Sequence, residues 1–388
     1  MTDPDMATPA LLAAAEARLE TMIADVQRLV EAESPSNDYD AVARGAAEVV
    51  ALASERLELD AYGVDAEALV HDGVTNVRIR FGSADPCVLL VNHQDTVWPI
   101  GTLARKPFTR TDGVMRGPGV FDMLTGVVMS LHAAALLHEA GQDLTGLSIV
   151  VTGDEEVGSA TGRRLLLEEG RNARAAFVME GAIGERGDLK IARKGTADWQ
   201  VHVHGRAAHA GLDPEKGINA GIALGQLLPA IEALGDPAVG TTVTPTVMAA
   251  GTTTNTVPDV ATVAVDGRAT SIAEQERTDR QIRELTSPVE GTRVEVTGGI
   301  NRPPMERTAG EGLFRQAERL AGQLGIEAPA GREVGGASDG NFTAAAGIPT
   351  LDGMGAVGDG AHAEHEHALT AYIAPRTALL AALIAENL

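Results

Sequence analysis

From residue 8 to 32, and again from 40 to 58, apolar residues recur at helical spacing among Glu, Asp and Arg, so the chain opens on amphipathic helices. The pattern then shortens. Asn76–Phe81 alternates like a strand, and Cys87–Val91 is a continuous apolar run of the kind that forms a strand buried on both faces. Helical and strand-like stretches follow in turn: Leu124–Ala140 as helix, Leu147–Thr152 as strand, Thr161–Glu169 as helix, Ala175–Met179 as strand. This alternation predicts an α/β fold, with a mostly parallel mixed sheet flanked by helices on both sides.

The rhythm changes near residue 190. Ala197–His204 alternates with period two, as a sheet with one solvated face does. A helix over 217–233, strands at Thr242–Ala249 and Val260–Asp266, a helix at Ile272–Leu285 and a strand at Thr292–Val296 complete a compact α+β segment. After Pro303-Pro304 the helix–strand pattern returns, with a helix at Gly310–Leu324, a strand at Pro349–Leu351 and a last helix at Ala368–Glu386. The organisation expected is an α/β domain in two parts, 8–189 and 304–388, interrupted by a smaller α+β domain over 190–303.

Composition narrows the class. Of 388 residues 44% are hydrophobic and only 3% aromatic, so Ala, Leu and Val must fill the core. A net charge of −23 with no basic stripe excludes a nucleic-acid partner, and an anionic substrate would need a local Arg or Lys. Cys87 is the sole cysteine, which rules out an intrachain disulfide, and its place ahead of Val-Leu-Leu-Val suits buried packing. Met1 to Pro9 carries Asp3 and Asp5 and lacks a basic stretch followed by an apolar core, and no apolar run reaches the ~18 residues of a membrane span. A cytoplasmic protein with no membrane partner is expected.

Five short stretches hold the chemistry: Asn92–Thr96, Gly117–Asp122, Gly153–Glu156, Val178–Gly181 and Gly360–His362. Four of them sit just after a predicted strand, where ligands collect in sheets of this type. Together they supply the imidazoles and carboxylates that a hydrolytic two-zinc centre needs, plus a free base. Singly, each has a plainer reading. His93 and Asp95 are two apart in extended chain and so face the same way; Asp95 can fix the imidazole tautomer, or the pair is a core histidine beside a turn aspartate. Asp122 precedes a helix and is either an N-cap or a carboxylate shared by two cations. In Asp154-Glu155-Glu156, adjacent side chains diverge, so one can face a metal and its neighbour a water, unless the run is a solvated loop end. Glu180 closes an apolar run, where a charge is costly unless paired or bound to a cation. His362 is followed by Glu364-His365-Glu366-His367, and spacing alone does not say which histidine matters.

These motifs resemble the di-zinc exopeptidase family of glutamate carboxypeptidases, aminoacylases, acetylornithine deacetylase and succinyl-diaminopimelate desuccinylase. The resemblance runs from about residue 75 to 370 and rests on His-x-Asp-Thr-Val at 93–97, Gly-x-Gly-x-x-Asp-Met at 117–123 and Asp-Glu-Glu-x-Gly-Ser at 154–159. Ala-x-His-Ala-Gly at 207–211, Asn-x-x-Pro at 255–258 and Asp-x-Arg at 266–268 also match. Gly101-Thr102-Leu103 and Gly335–Asn341 lean toward the glutamate carboxypeptidase branch. One departure is Asp122-Met123-Leu124-Thr125-Gly126, where relatives often carry Lys-Gly in place of Leu124-Thr125.

The resemblance implies a catalytic α/β domain interrupted by a lid that dimerises, and two zinc ions per chain, with Co²⁺ or Mn²⁺ as other divalent choices. It implies that His93 and Glu180 hold one ion, Glu156 and His362 the other, and that Asp122 bridges them. Glu155 would be the general base, Asp95 the partner of His93, and the Asp122–Met123 peptide cis. His209 would reach across a homodimer to stabilise the oxyanion, Arg268 would clamp a substrate carboxylate bidentately, and Asn255 would assist. The expected activity is hydrolysis of an amide next to a free carboxylate, acting on a small peptide or N-acyl amino acid. An N-acyl amino acid deacylase using the same site is the alternative. A metal-binding dimer without activity is a third reading, disfavoured by the presence of Glu155 beside all five ligands.

Overall fold

The computed structural model describes residues 8–57, 59, 64–82 and 85–388. Residues 1–7, on which the expectation of no signal peptide partly rests, and residue 58, the expected end of the second helical stretch, lie outside them. The chain divides into two compact units. The first takes in Met1–Ala192, Arg307–Val334 and Ser338–Leu388, and the second Arg193–Glu306 with Gly335–Ala337.

The first unit is an α/β layer structure around a six-stranded mixed sheet. In spatial order the strands are Val64–His71, Val74–Phe81, Leu147–Thr152, Val88–His93, Ala175–Val178 and Thr350–Leu351. The last four run parallel to one another, while the first two form an antiparallel hairpin at one edge. Val88–His93 and Leu147–Thr152 are buried at every position, as continuous apolar runs require. The helix Thr125–Glu139 is apolar all round and buried from Thr125 to Leu137. Val120–Glu139 is long and apolar enough by length and composition to cross a membrane, against the expectation that no stretch reaches that length; it is almost wholly buried, the mark of a core helix.

Several elements differ from the sequence reading. The first helical stretch is two helices, Thr8–Ala17 and Leu19–Glu31, broken at Arg18. The last helix begins at Ile373 rather than Ala368, because His367–Leu369 pairs as a strand with Val114–Arg116. With Gly358–Asp359 and Thr109–Thr111 these strands make a small second sheet absent from the sequence reading. Cys87 is half-buried rather than fully packed away.

The second unit is an antiparallel four-stranded sheet in the order Thr242–Ala250, Val260–Ala269, Gly195–His204, Arg293–Arg302, with helices Ala220–Glu232 and Ile272–Arg283. Its own core holds Trp199, Val201, Val203, Leu227, Ile231 and Val263. Arg293–Arg302 outruns the predicted Thr292–Val296 by continuing through Gly298, whose φ of 78° lies in the left-handed region that glycine tolerates.

Candidate metal centre

Strand register assembles the site. His93 ends its strand opposite Thr152 of the parallel neighbour, so the Gly153–Glu156 loop leaves the sheet beside it. On the other side Met179 N donates to Val91 O (2.9 Å), which brings Glu180 to the same carboxyl edge. Gly126 and Gly355 both press on the Met179 carbonyl, where a Cβ on either would collide with it, so the backbone under Glu180 is tightly enclosed. Arg376, buried, ties down the adjacent loop by donating from Nε to Gly355 O (2.6 Å) and from Nη2 to Gly353 O. Burial lowers its pKa to about 10.

Two groups of ligand atoms meet at this edge. His93, Asp122 and Glu180 form one, and Asp122, Glu156 and His362 the other, the atoms of each within 4.8 Å of one another. Asp122 belongs to both. Its Oδ1 lies 3.3 Å from His93 Nε2 and its Oδ2 3.3 Å from His362 Nε2. Glu180 Oε1 is 3.6 Å from His93 Nε2, and Glu156 Oε2 is 3.0 Å from His362 Nε2. The helix after Asp122 receives no side-chain cap, so the N-cap reading of this aspartate does not hold. The Asp122–Met123 peptide is cis.

The acidic triplet divides its labour. Asp154 is structural: its carboxylate accepts from the amides of Thr161 (2.7 Å) and Gly162 (3.0 Å). Glu155 and Glu156 share the 3-10 turn Glu155–Val157, where successive side chains point about 120° apart. Glu155 is buried, and Glu156 faces His362. The Asp95 carboxylate clamps this turn, accepting from the amides of Glu155 (3.1 Å) and Glu156 (3.2 Å) and from Ser36 Oγ (2.6 Å). That differs from the expected carboxylate–imidazole bond: His93 Nδ1 meets the backbone carbonyl of Asp95 at 3.0 Å, while the carboxylate stays 3.6 Å away. The carbonyl is an acceptor only, so it keeps the proton on Nδ1 and leaves Nε2 as the nitrogen that can give up its proton to a cation.

The donor set suits a divalent cation. His93 Nε2 is buried and has no hydrogen-bond partner among the described residues, though it points at Asp122 and Glu180. Two imidazoles and three carboxylates are ligands that zinc, cobalt and manganese accept. The electrostatics agree. Hydrogen bonds to Asp122 and Glu156 push His362 up to about 10. Burial would lower His93, but Asp122, Asp95 and Glu180 raise it well above the usual imidazole range. Burial would raise Asp122, yet His362 and His93 hold it well below the ordinary carboxylate value. Glu156 is raised by burial and by the charge of Asp122. A field that holds protons on both imidazoles will exchange them for a metal cation.

Two neighbours were not singled out from the sequence. Lys190 Nζ sits 3.6 Å from Glu180 Oε2. Glu366 is fully buried and accepts from Trp98 Nε1 (2.8 Å) and from the amides of Gly119 (3.1 Å), Phe121 (3.0 Å) and Asp122 (3.3 Å). It thereby joins the Asp122 segment to the loop that carries His362. Its only sequence signal was membership of the Glu364–His367 cluster.

The remaining candidates lie in the second unit. His209 is exposed and pairs through its backbone with Thr256; its Nδ1 accepts from the amides of Gly211 and Leu212, each at 3.1 Å. Asn255 is exposed, and its carbonyl accepts from Ala210 N (2.8 Å), so the two residues share one loop pairing. Arg268 is half-buried and bound by Asp266 along its Nε–Nη2 edge, at 2.9 Å and 2.7 Å. That pairing uses Nε and Nη2 and leaves Nη1 outside it.

Similarity to known proteins agrees with this arrangement. The family model of Peptidase family M20/M25/M40 matches residues 89–386. Carboxypeptidase G2 of Pseudomonas sp. (strain RS-16) is 30% identical over 316 residues, 78% of this chain and 74% of that protein. Aminopeptidase PepT of Bacillus cereus ATCC 10987 shares the fold with a TM-score of 0.72 at 22% identity, over 95% of this chain and 98% of that one. The YXEP protein of Bacillus subtilis, a dinuclear metal-binding peptidase of the M20 family, does so with a TM-score of 0.68 at 18% identity, over 96% and 100%. With a family match across most of its length and a 30%-identical relative over three quarters of it, the chain belongs to peptidase family M20/M25/M40 and is a metallopeptidase hydrolase of that family.

Proposed function

We propose that the protein is a glutamate-carboxypeptidase-like enzyme that hydrolyses the amide next to a free carboxylate, releasing a C-terminal amino acid from a peptide or N-acyl conjugate. The observation that carries this reading is the pair of ligand triads sharing Asp122, with Glu155 in the turn beside Glu156. The likeness to carboxypeptidase G2 supports the carboxypeptidase direction.

His93 and Glu180 would hold one zinc ion, Glu156 and His362 the other, and Asp122 both, with cobalt or manganese as substitutes. Bound there, the ions supply Lewis-acid polarisation of the carbonyl and a water of lowered pKa. Glu155 takes the proton of the attacking water and returns it to the leaving amine. Asp95 holds that base in place through the Glu155 amide. Arg268 reads the substrate carboxylate with its Nη1–Nη2 end, Asn255 assists, and His209 donates to the oxyanion from the partner subunit. Dimerisation through the second unit has support in its edge strand Thr242–Ala250, where Val247 is 73% and Met248 49% exposed.

The zinc-loaded protein should hydrolyse dipeptides or N-acyl amino acids with a free α-carboxylate and spare their amidated forms. Hydrolysis by rigorously metal-free protein would contradict the proposal.

A further inference from the structure

Beside Glu156, within the first unit, runs an open groove of about 540 Å³. Its walls carry Val97, Ile100 and Val157, which are 43%, 49% and 55% exposed, together with Pro99. Three large apolar side chains left in water at one groove mark a binding surface rather than scattered exposure. Among the described residues, the titratable groups lining it are Asp38 and Glu156, and no Lys or Arg lines it.

The charges decide which part of a substrate fits. The amine side of the scissile bond bears the free carboxylate, which the proposed reading gives to Arg268 and which Asp38 would repel, Glu156 being committed to a cation. The acyl side remains. We infer that this groove seats the acyl group of the substrate and selects one that is apolar and uncharged, against anionic acyl groups such as succinyl. This deepens the proposed amide hydrolysis and rests on it. A fully buried methylene is worth roughly fourfold in affinity, and an open groove covers a chain on about half its surface, so roughly twofold per methylene is expected.

The test compares N-acetyl-, N-hexanoyl- and N-succinyl-glutamate as substrates of the zinc-loaded enzyme. The four extra methylenes should raise kcat/KM for hexanoyl over acetyl by about tenfold or more, with succinyl below acetyl. Val157→Asp should pull the hexanoyl-to-acetyl ratio toward one, and Ile100→Lys should raise succinyl relative to acetyl. Calorimetric binding to the zinc-loaded Glu155→Gln variant should favour hexanoyl over succinyl by a similar factor. If wild type cleaves none of the three, the proposed glutamate-carboxypeptidase-like reading fails while the binding arm still judges the groove. Turnover without acyl preference, a ratio unmoved by Val157→Asp, or equal or absent binding of the two conjugates overturns the inference.

Discussion

Replacing Glu366 by Gln tests how the centre is held together. The side chain is fully buried, with Oε2 taking Trp98 Nε1 and Gly119 N–H, and Oε1 taking Phe121 and Asp122 N–H. Glutamine keeps the shape and one carbonyl oxygen but turns an NH₂ toward two of those donors. Each buried donor left without an acceptor costs about 1–3 kcal/mol. Losing a desolvated charge, whose pKa burial already pushes up, offsets part of this. The net expectation is about 2–3 kcal/mol, or a fall in Tm of about 4–6 °C for a domain of this size. Because the donors include the amide of Asp122 itself, metal affinity should also drop on the order of 10–100-fold. Thermal melts of apo- and zinc-loaded protein and a competition titration against a chromophoric chelator read both quantities. A Tm within about 1 °C of wild type together with unchanged zinc affinity would refute the bracing role.

Glu155→Gln should lower kcat by about 10²–10⁴-fold while elemental analysis finds the same metal content as wild type. Asp122→Ala should lose both ions together, whereas His93→Ala should mainly weaken one; loss of a single ion from Asp122→Ala would show that it does not bridge. Arg268→Lys should cut kcat/KM for substrates with a free α-carboxylate far more than for their amidated analogues, and an equal loss on both would assign Arg268 to the fold. Burial would raise Asp25, but Arg56 and His132 hold its carboxyl down at about 2, below its usual value near 3.8. A depressed carboxyl stabilises above its unfolded pKa, so a contribution of about 2 kcal/mol should be present above pH ~4 and vanish toward pH ~2. Urea titrations of wild type and Asp25→Asn should converge over that window; a constant gap would remove the linkage.

What could be read from the sequence was whatever burial forces on composition. The run from Cys87 to Val91 is of the kind expected in a strand covered on both faces, and the structure has it as Val88–His93. The α/β class followed from the alternation of such runs with helical stretches. Elements whose partners are distant in sequence were not legible. His367–Leu369 becomes a strand only because Met115 lies beside Ala368. Val64–His71, buried at only one position in its hairpin, offers no clean apolar period. In the centre, five short stretches marked carboxylates and histidines as candidates, and the resemblance singled out His93, Asp122, Glu156, Glu180 and His362, because no spacing rule separates His362 from His365 and His367. That choice is made by backbone geometry, with His362 at a φ of 62° and its ring at Glu156. Period-two logic placed Asp95 beside His93 correctly, yet three nearby donors draw its carboxylate away from the imidazole.

The central claim is that five side chains hold two cations through a shared aspartate. Anomalous difference maps from zinc-soaked crystals, recorded at the zinc edge, test it directly. The account predicts two peaks per chain, one against His93 and Glu180 and one against Glu156 and His362, with Asp122 touching both. A single peak, or two peaks of which Asp122 ligates only one, would contradict it.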